Sequence, residues 1–413
     1  MNEHQPPTNR RRFLTLAAGA SAAAIGGTSA WRASGSESDP QPLDGDPAAA
    51  PVPSEGTQVS LAEARELPAS EDVSGRTLVV VELQGGNDGL ATLVPRNAGA
   101  LYDARGDLHI PDEELLEFTD EFGWAPSLAG LAGHSVAAVL GLGATSDPSG
   151  SHFEMERRWW SGKSDGGDLP FTGFFGRLCD QLVVDQPITG LSIGSNASPA
   201  LRSEHAVTIG LSDAQAAWFL TNEDPFFENM RRAMTDMAAG TDMAPGMSGS
   251  EMEARFAGAR SGLSDTMQFG ETYQELDQER IRELYPRNDL GESFGTAAEL
   301  IRADSGVRVI HLTHGGFDTH SGQRGTHATL MEQLGDAMGV FLSDLAETGH
   351  DDSTLVCTTS EFGRRVTQNG SGTDHGQAGM AMLTGPVVAG VHGEAPSLTD
   401  LEDGNLRTTV DFE

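Results

Sequence analysis

Cysteine is nearly absent from this chain: among 413 residues only Cys179 and Cys357 carry thiols, each inside an apolar stretch. Two such residues suit small buried hydrophobes rather than a disulfide framework, so an oxidising compartment is permitted but not required. Cations are scarce as well. Twenty-six Lys and Arg stand against 61 Asp and Glu, a formal charge of -35, which excludes a nucleic-acid groove or an anionic membrane surface as the partner. Acidity of this size suits a protein kept soluble in salty surroundings, where screening relieves self-repulsion. Long apolar runs are missing too. The longest near the N-terminus, residues 14–27, has fourteen residues, short of the roughly 20 that span a bilayer, so no stable membrane span is expected.

What is present is enough for a core. Hydrophobic residues make up 38% of the chain, and the length allows one large or two ordinary domains. Residues 1–32 read as a twin-arginine export signal: Arg10, Arg11 and Arg12 precede Phe13-Leu14, an apolar run and small residues near 28–30 that suit a peptidase. The expected partner is the twin-arginine translocase, and the expected location is the periplasm, cell envelope or extracellular space. Residues 33–74, rich in Ser, Asp, Pro, Gly and Ala, read as a flexible linker.

The folded part, residues 75–413, begins with the continuous apolar run 77–83, which is the pattern of a central parallel strand. It ends in Gln84-Gly85-Gly86-Asn87-Asp88-Gly89, where glycines turn the backbone and leave Asn87 and Asp88 as either turn caps or hard oxygen ligands. A second strand, 136–142, leads to Ser151-His152-Phe153-Glu154. Ser151 with Glu154 matches a capping box, and the same helix N-terminus would assist a nucleophile or bind an anion. His152 is open as a ligand, a base or a surface residue. Short strands at 190–194 and 206–211 follow, then a Met-, Ala- and Gly-rich stretch and a charged helix over 265–285; residues 221–290 read as a helical insertion. The run 307–312 enters His314-Gly315-Gly316-Phe317-Asp318-Thr319-His320. After an amphipathic crossover helix at 330–345, the apolar stretch 354–359 ends in Glu361, Arg364, Arg365 and then Asp374-His375-Gly376, before a last strand at 378–383. A right-handed crossover places both strand ends on one side of the sheet, where open parallel sheets bind ligands. His109, His134, His205 and His327 are isolated and read as structural or exposed. The chain stops at 410–413 with no terminal helix, and a C-terminal truncation is the expectation.

In this order, behind a twin-arginine signal, these motifs resemble the exported bacterial family catalogued as domain of unknown function 1501, over residues 78–412. The resemblance implies an α/β, alkaline-phosphatase-like fold, with a mostly parallel central sheet, helices on both faces and a helical insertion. It brings no substrate. By that resemblance Asp88 takes the place of a first metal-binding acid, Ser151 that of a nucleophile, and Asp318 and His320 hold one metal. Two registers compete for the remaining ligands. In the first, favoured because Glu361 directly ends a strong strand, Glu361 and His375 serve a second site; in the other, Asp374-His375-Gly376 is itself the signature and Glu361 supports it. Asp318 and His320 stand closer than is usual in related phosphatases, and Phe362 replaces a histidine, so a second site would be poor in nitrogen.

The chemistry expected is that of a divalent metal, zinc or, with oxygen ligands dominating, manganese or magnesium. It would serve a hydrolase of phosphate or sulfate esters in which Ser151 attacks, beside His152, and Arg364 or Arg365 grips the ester oxygens of a small-molecule or polymeric substrate. The alternative expectation is a catalytically inactive binding or assembly protein of the cell envelope that retains the fold. A carbohydrate- or lipid-handling transferase differs from the first only in its acceptor.

Overall fold

A computed structural model of the protein describes residues 75–182, 188–194, 197–211, 262, 265–266 and 268–413. The expected export signal, the linker and most of the helical insertion lie outside the described residues.

The elements follow in the order β1 (Thr77–Gln84), α1 (Gly89–Thr92), β2 (Leu93–Pro95), α2 (Gly99–Arg105), β3 (Leu116–Glu117), β4 (Phe122–Trp124) and β5 (Val136–Gly143). Next come α3 (His152–Ser161), α4 (Phe174–Gln181), β6 (Gly190–Ile193), β7 (Thr208–Leu211), α5 (Gln278–Leu284), α6 (Asp289–Arg302), β8 (Val309–Gly315) and α7 (Gln323–Thr348). The chain continues through β9 (Thr354–Thr359), β10 (Arg364–Asn369), β11 (Gly372–His375), β12 (Gly379–Thr384) and β13 (Gly390–His392), and closes with β14 (Leu401–Glu402), β15 (Asn405–Leu406) and β16 (Val410–Asp411).

Among the described residues nine strands form the central sheet, in the order β13-β5-β12-β9-β1-β8-β6-β7, with β16 also on β5. All pairings are parallel except those of β12, which runs antiparallel to both β5 and β9. The architecture is α/β with a mostly parallel sheet. β1 sits at its centre, which is why its sequence is apolar on both faces: Val79, Val80 and Val81 are wholly buried. Val79, Val81 and Leu83 pack in one core with Phe294 of α6 and Met331, Leu334 and Phe341 of α7. The opposite face lies under α3 and α4. There Trp160 of α3 donates from Nε1 to the buried Glu82 carboxylate at 2.9 Å, whose other oxygen is 2.9 Å from His311 Nε2.

Register aligns the strand ends that carry chemistry. Gln84 pairs with Gly315 across β1–β8, and Glu82 with Thr359 across β1–β9. The segments after β1, β8 and β9 therefore emerge together at the carboxyl edge, as doubly wound sheets favour. β12 adds a fourth contribution because it is reversed. Gly379 at its start lies beside Leu142 near the end of β5, so the residues that precede β12 reach the same edge. The hairpin β10–β11 fills the excursion between β9 and β12.

Three local expectations differ from the structure. The helix expected over 265–285 is broken before α5, where Asp277 caps a new start by accepting from Arg280 N at 2.9 Å. The strand near 378–383 is followed by four more short strands. The capping box does not form: Ser151 makes no side-chain cap bond, and Glu154 turns instead to Arg158 one turn along.

Candidate metal centre

The turn after β1 builds the floor of the site. Gly85 and Gly86 have φ of 116° and 77°, backbone that favours glycine, and a Cβ on Gly85 would overlap the Phe317–Asp318 backbone. That closeness brings two strand ends into direct contact. Gly85 N donates to Glu361 Oε1 at 2.8 Å, and Asn87 N donates to Ser360 Oγ at 2.8 Å.

Three imidazoles and one carboxylate converge above this floor. His152 opens α3, Asp318 and His320 lie in the loop between β8 and α7, and His375 ends β11. His375 Nε2 is 3.1 Å from His152 Nε2, 2.9 Å from His320 Nε2 and 3.0 Å from Asp318 Oδ1. Asp318 lies also 3.0 Å from His320 Nε2 and 3.4 Å from His152 Nε2. His152, Asp318 and His375 offer ligand atoms that all lie within 4.8 Å of one another, a group able to hold a metal ion. Donors around tetrahedral zinc, each about 2.0–2.1 Å from the ion, stand about 3.3 Å apart, so the spacing fits such an ion.

The outer ring nitrogens decide which way the lone pairs face. His152 Nδ1 donates to Glu361 Oε1 at 2.7 Å, and His375 Nδ1 donates to the Gly150 carbonyl at 2.7 Å. His320 Nδ1 lies 3.4 Å from Asp374 Oδ1. With the proton held at Nδ1, each Nε2 of a neutral ring is an acceptor. Acceptors crowded about 3 Å apart repel unless a cation, a proton or a metal, lies between them. A carboxylate or carbonyl behind each ligating histidine is also the usual support of a metal site.

Electrostatics keeps the carboxylates charged. Burial pushes Asp318 upward, but the Arg364 guanidinium, through its hydrogen bond and its charge, works against this, and the carboxyl comes down to about 2. Glu361 is buried, and burial pushes it upward too, but hydrogen bonds from His152 and from the Glu361 and Gly85 amides draw it below the ordinary range. His152 is raised, chiefly by its hydrogen bond to Glu361, whereas burial lowers His375. Glu156, one turn beyond His152 on α3, is pushed up to about 7 by burial and by the charges of Glu361 and Glu82.

Several residues singled out in the sequence take places other than those expected. Asp88, only 1% exposed, caps α1 through Leu90 N and forms a buried ion pair with Arg105, joined by Gln323 Nε2. Its oxygens are thereby spoken for, away from the imidazole cluster. Asn87 is buried with it, accepting from His327 Nε2 at 3.0 Å and from Thr92. Arg364 does not face solvent. Its side chain is wholly buried and donates to the carbonyls of Gly85, Gly86, Phe317 and Thr373 and to Asp318 Oδ1. It organises the loops instead of gripping an ester. Glu361 and Asp374 stand behind histidines, with Asp374 also accepting from Asn369 Nδ2 at 3.0 Å. Ser151 lies between Gly150 and His152, both engaged in the cluster, and its exposed hydroxyl makes no cap bond.

Sequence reasoning missed the network beneath. Gln323 links Asp88 to Thr373, accepting the threonine hydroxyl at 2.7 Å, and Arg105 reaches the carbonyls of Arg365 and Val366. No local motif marks Arg105 or Gln323. His327 carried a signal only in its helical spacing from Gln323.

A family model described as Protein of unknown function (DUF1501) matches residues 169–407. The chain belongs to that family. No curated protein matches it. Among solved structures, "Ps i-CgsB" is 11% identical, with TM-score 0.34 and 79% of this chain and 70% of that one covered. Alkaline phosphatase from the Antarctic bacterium TAB5 is 10% identical, with TM-score 0.32 and coverage of 77% and 94%. The lipoteichoic acid synthase LtaP from Listeria monocytogenes is 10% identical, with TM-score 0.30 and coverage of 81% and 74%. Likeness this distant says nothing of chemistry, which rests on the side chains of the family member itself. Among the described residues no helix is long and apolar enough to cross a membrane.

Proposed function

We propose that this DUF1501 protein is an exported, metal-dependent hydrolase of phosphate or sulfate esters. The observation that carries the proposal is the turning of three Nε2 atoms and Asp318 toward one point, with each Nδ1 set against an acceptor. His152, Asp318 and His375 would hold a divalent ion, with His320 beside them; mixed imidazole and carboxylate donors suit zinc, and manganese next. When bound, such an ion supplies charge neutralisation for the ester oxygens.

The chain supplies the rest. Ser151 Oγ would form the new bond to phosphorus or sulfur as the ester's bridging bond breaks, its proton going to the departing oxygen to give the alcohol; water would then cleave the phospho- or sulfoserine, freeing phosphate or sulfate and restoring the hydroxyl. Glu361 holds the His152 ring in place, and Arg364 holds Asp318 ionised and aimed. Substrate contact falls to groups other than Arg364, whose guanidinium is enclosed.

A second reading has one observation in its favour. Four protein donors around one point resemble a closed, structural metal site, which suits a catalytically inactive envelope protein holding a partner. Metal content of the full, exported chain, set beside an Asp318→Ala/His375→Ala variant, tests both. About one equivalent of metal, absent from the variant and accompanied by metal-dependent release of phosphate or sulfate from aryl esters, supports the hydrolase. Metal without turnover of any ester favours the inactive protein, and no metal in the native chain ends the metal reading.

A further inference from the structure

The four converging donors are not held alike, and the difference has a direction. His152 and His375 each give Nδ1 to an acceptor at 2.7 Å, one a buried carboxylate and the other a backbone carbonyl. His320 has only Asp374, at 3.4 Å, and that carboxylate is shared with the Asn369 amide. Side-chain exposure follows the same order: 24% for His375, 30% for His152 and 46% for His320. Asp318 is exposed to a similar degree, 47%, but its Oδ1 is pinned at 2.8 Å by the buried Arg364. His320 also stands on a loop, whereas His152 begins a helix and His375 belongs to a strand paired with Arg364. Rotation about its side-chain bonds turns the ring to solvent; it withdraws Nε2 from His375 and Asp318, and behind the ring it breaks the long contact to Asp374.

From this we infer that His320 is the displaceable member of the set: it closes the centre at rest and gives up its position to an oxygen of the incoming anion. The inference rests on the proposed metal centre and specifies how a closed set of donors opens to substrate. His152, His375 and Asp318 are each fixed from behind, by Glu361, the Gly150 carbonyl and Arg364.

The test compares the full chain with His320→Ala and His375→Ala, each loaded with cobalt(II) and dialysed against a weak chelator. Metal content and the visible absorption band are read during titration with inorganic phosphate. The expected result is that His320→Ala keeps its equivalent of metal, loses intensity in the band as a position opens, and responds to phosphate at an at least tenfold lower concentration. His375→Ala loses the metal. Loss of metal in His320→Ala to the same extent, or an unchanged phosphate response, overturns the inference while leaving the metal centre standing. Absence of metal from the unmodified chain overturns both.

Discussion

Glu361 makes three contacts that no shorter or neutral side chain reproduces: it accepts from the Gly85 amide, from His152 Nδ1, and from the Ser360 hydroxyl at 3.2 Å. Glu361→Gln keeps the shape, but its amide NH2 cannot accept, and the hydrogen bond that sets the His152 tautomer weakens or reverses. Carboxylates behind ligating histidines typically contribute 10–100-fold in metal affinity. The expected outcome is a metal dissociation constant about 10–100-fold larger, measured by competition with a chromophoric chelator, with the fold intact by circular dichroism. His327 offers a second test at this scale. Burial holds it neutral, with its titration lowered to about 4 from 6.5. Between those values the unfolded chain binds the proton that the native chain refuses, so the contribution of His327 to stability rises with pH across about 4 to 6.5 and is level above. By linkage the full effect is roughly 3 kcal/mol. Urea midpoints of metal-free protein across that window, compared with His327→Gln, should show the variant with the shallower slope.

The hairpin β10–β11 and the loop before α7 meet at Gly372, where any side chain would strike the carbonyl of Thr319 and the backbone of His320. Gly372→Ala must therefore part the hairpin from the loop. Overpacking of this kind costs about 1–3 kcal/mol, and here it would separate His375 from His320 and Asp318. Lower urea resistance together with reduced metal content is expected; an unchanged protein in both respects would show that the contact yields easily. Elements differ in how far sequence reveals them. β1, β5 and β8 were legible because strands buried on both faces are near-continuous apolar runs with glycines at their ends, and β9 because its apolar stretch stops abruptly before Glu361. The reversal of β12 was not, since periodicity carries no direction, and it is this reversal that brings His375 to the edge where β1, β8 and β9 end. Asp88 shows the same limit. Its position at a strand end was plain, but its partner Arg105 belongs to a separate helix and answers to no local pattern, so the choice between ligand and buried ion pair lay in tertiary packing. Arg364 likewise looked like a solvent-facing cation until five acceptors enclosed it.

At the scale of the molecule, a net charge of -35 sets two expectations. Self-repulsion falls as salt shortens the screening length from about 10 Å at 0.1 M to about 3 Å at 1 M, so thermal stability should increase with sodium chloride and level off, beyond what an equal osmolality of sucrose achieves. Export is tested separately: Arg10→Lys/Arg11→Lys, which keeps the charge but removes the arginine pair, should leave the protein in the cell interior on fractionation.

The donors of the centre come from three distant stretches of chain, after β5, after β8 and before β12, in a protein whose two cysteines are both free. An ion bound there ties those stretches together as a cross-link would, and it withdraws with a change of pH or a chelator. Because native chains alone gather the donors, each tenfold rise in free metal above its dissociation constant adds about 1.4 kcal/mol to the folded state. Resistance to unfolding then reports how much metal the surroundings contain.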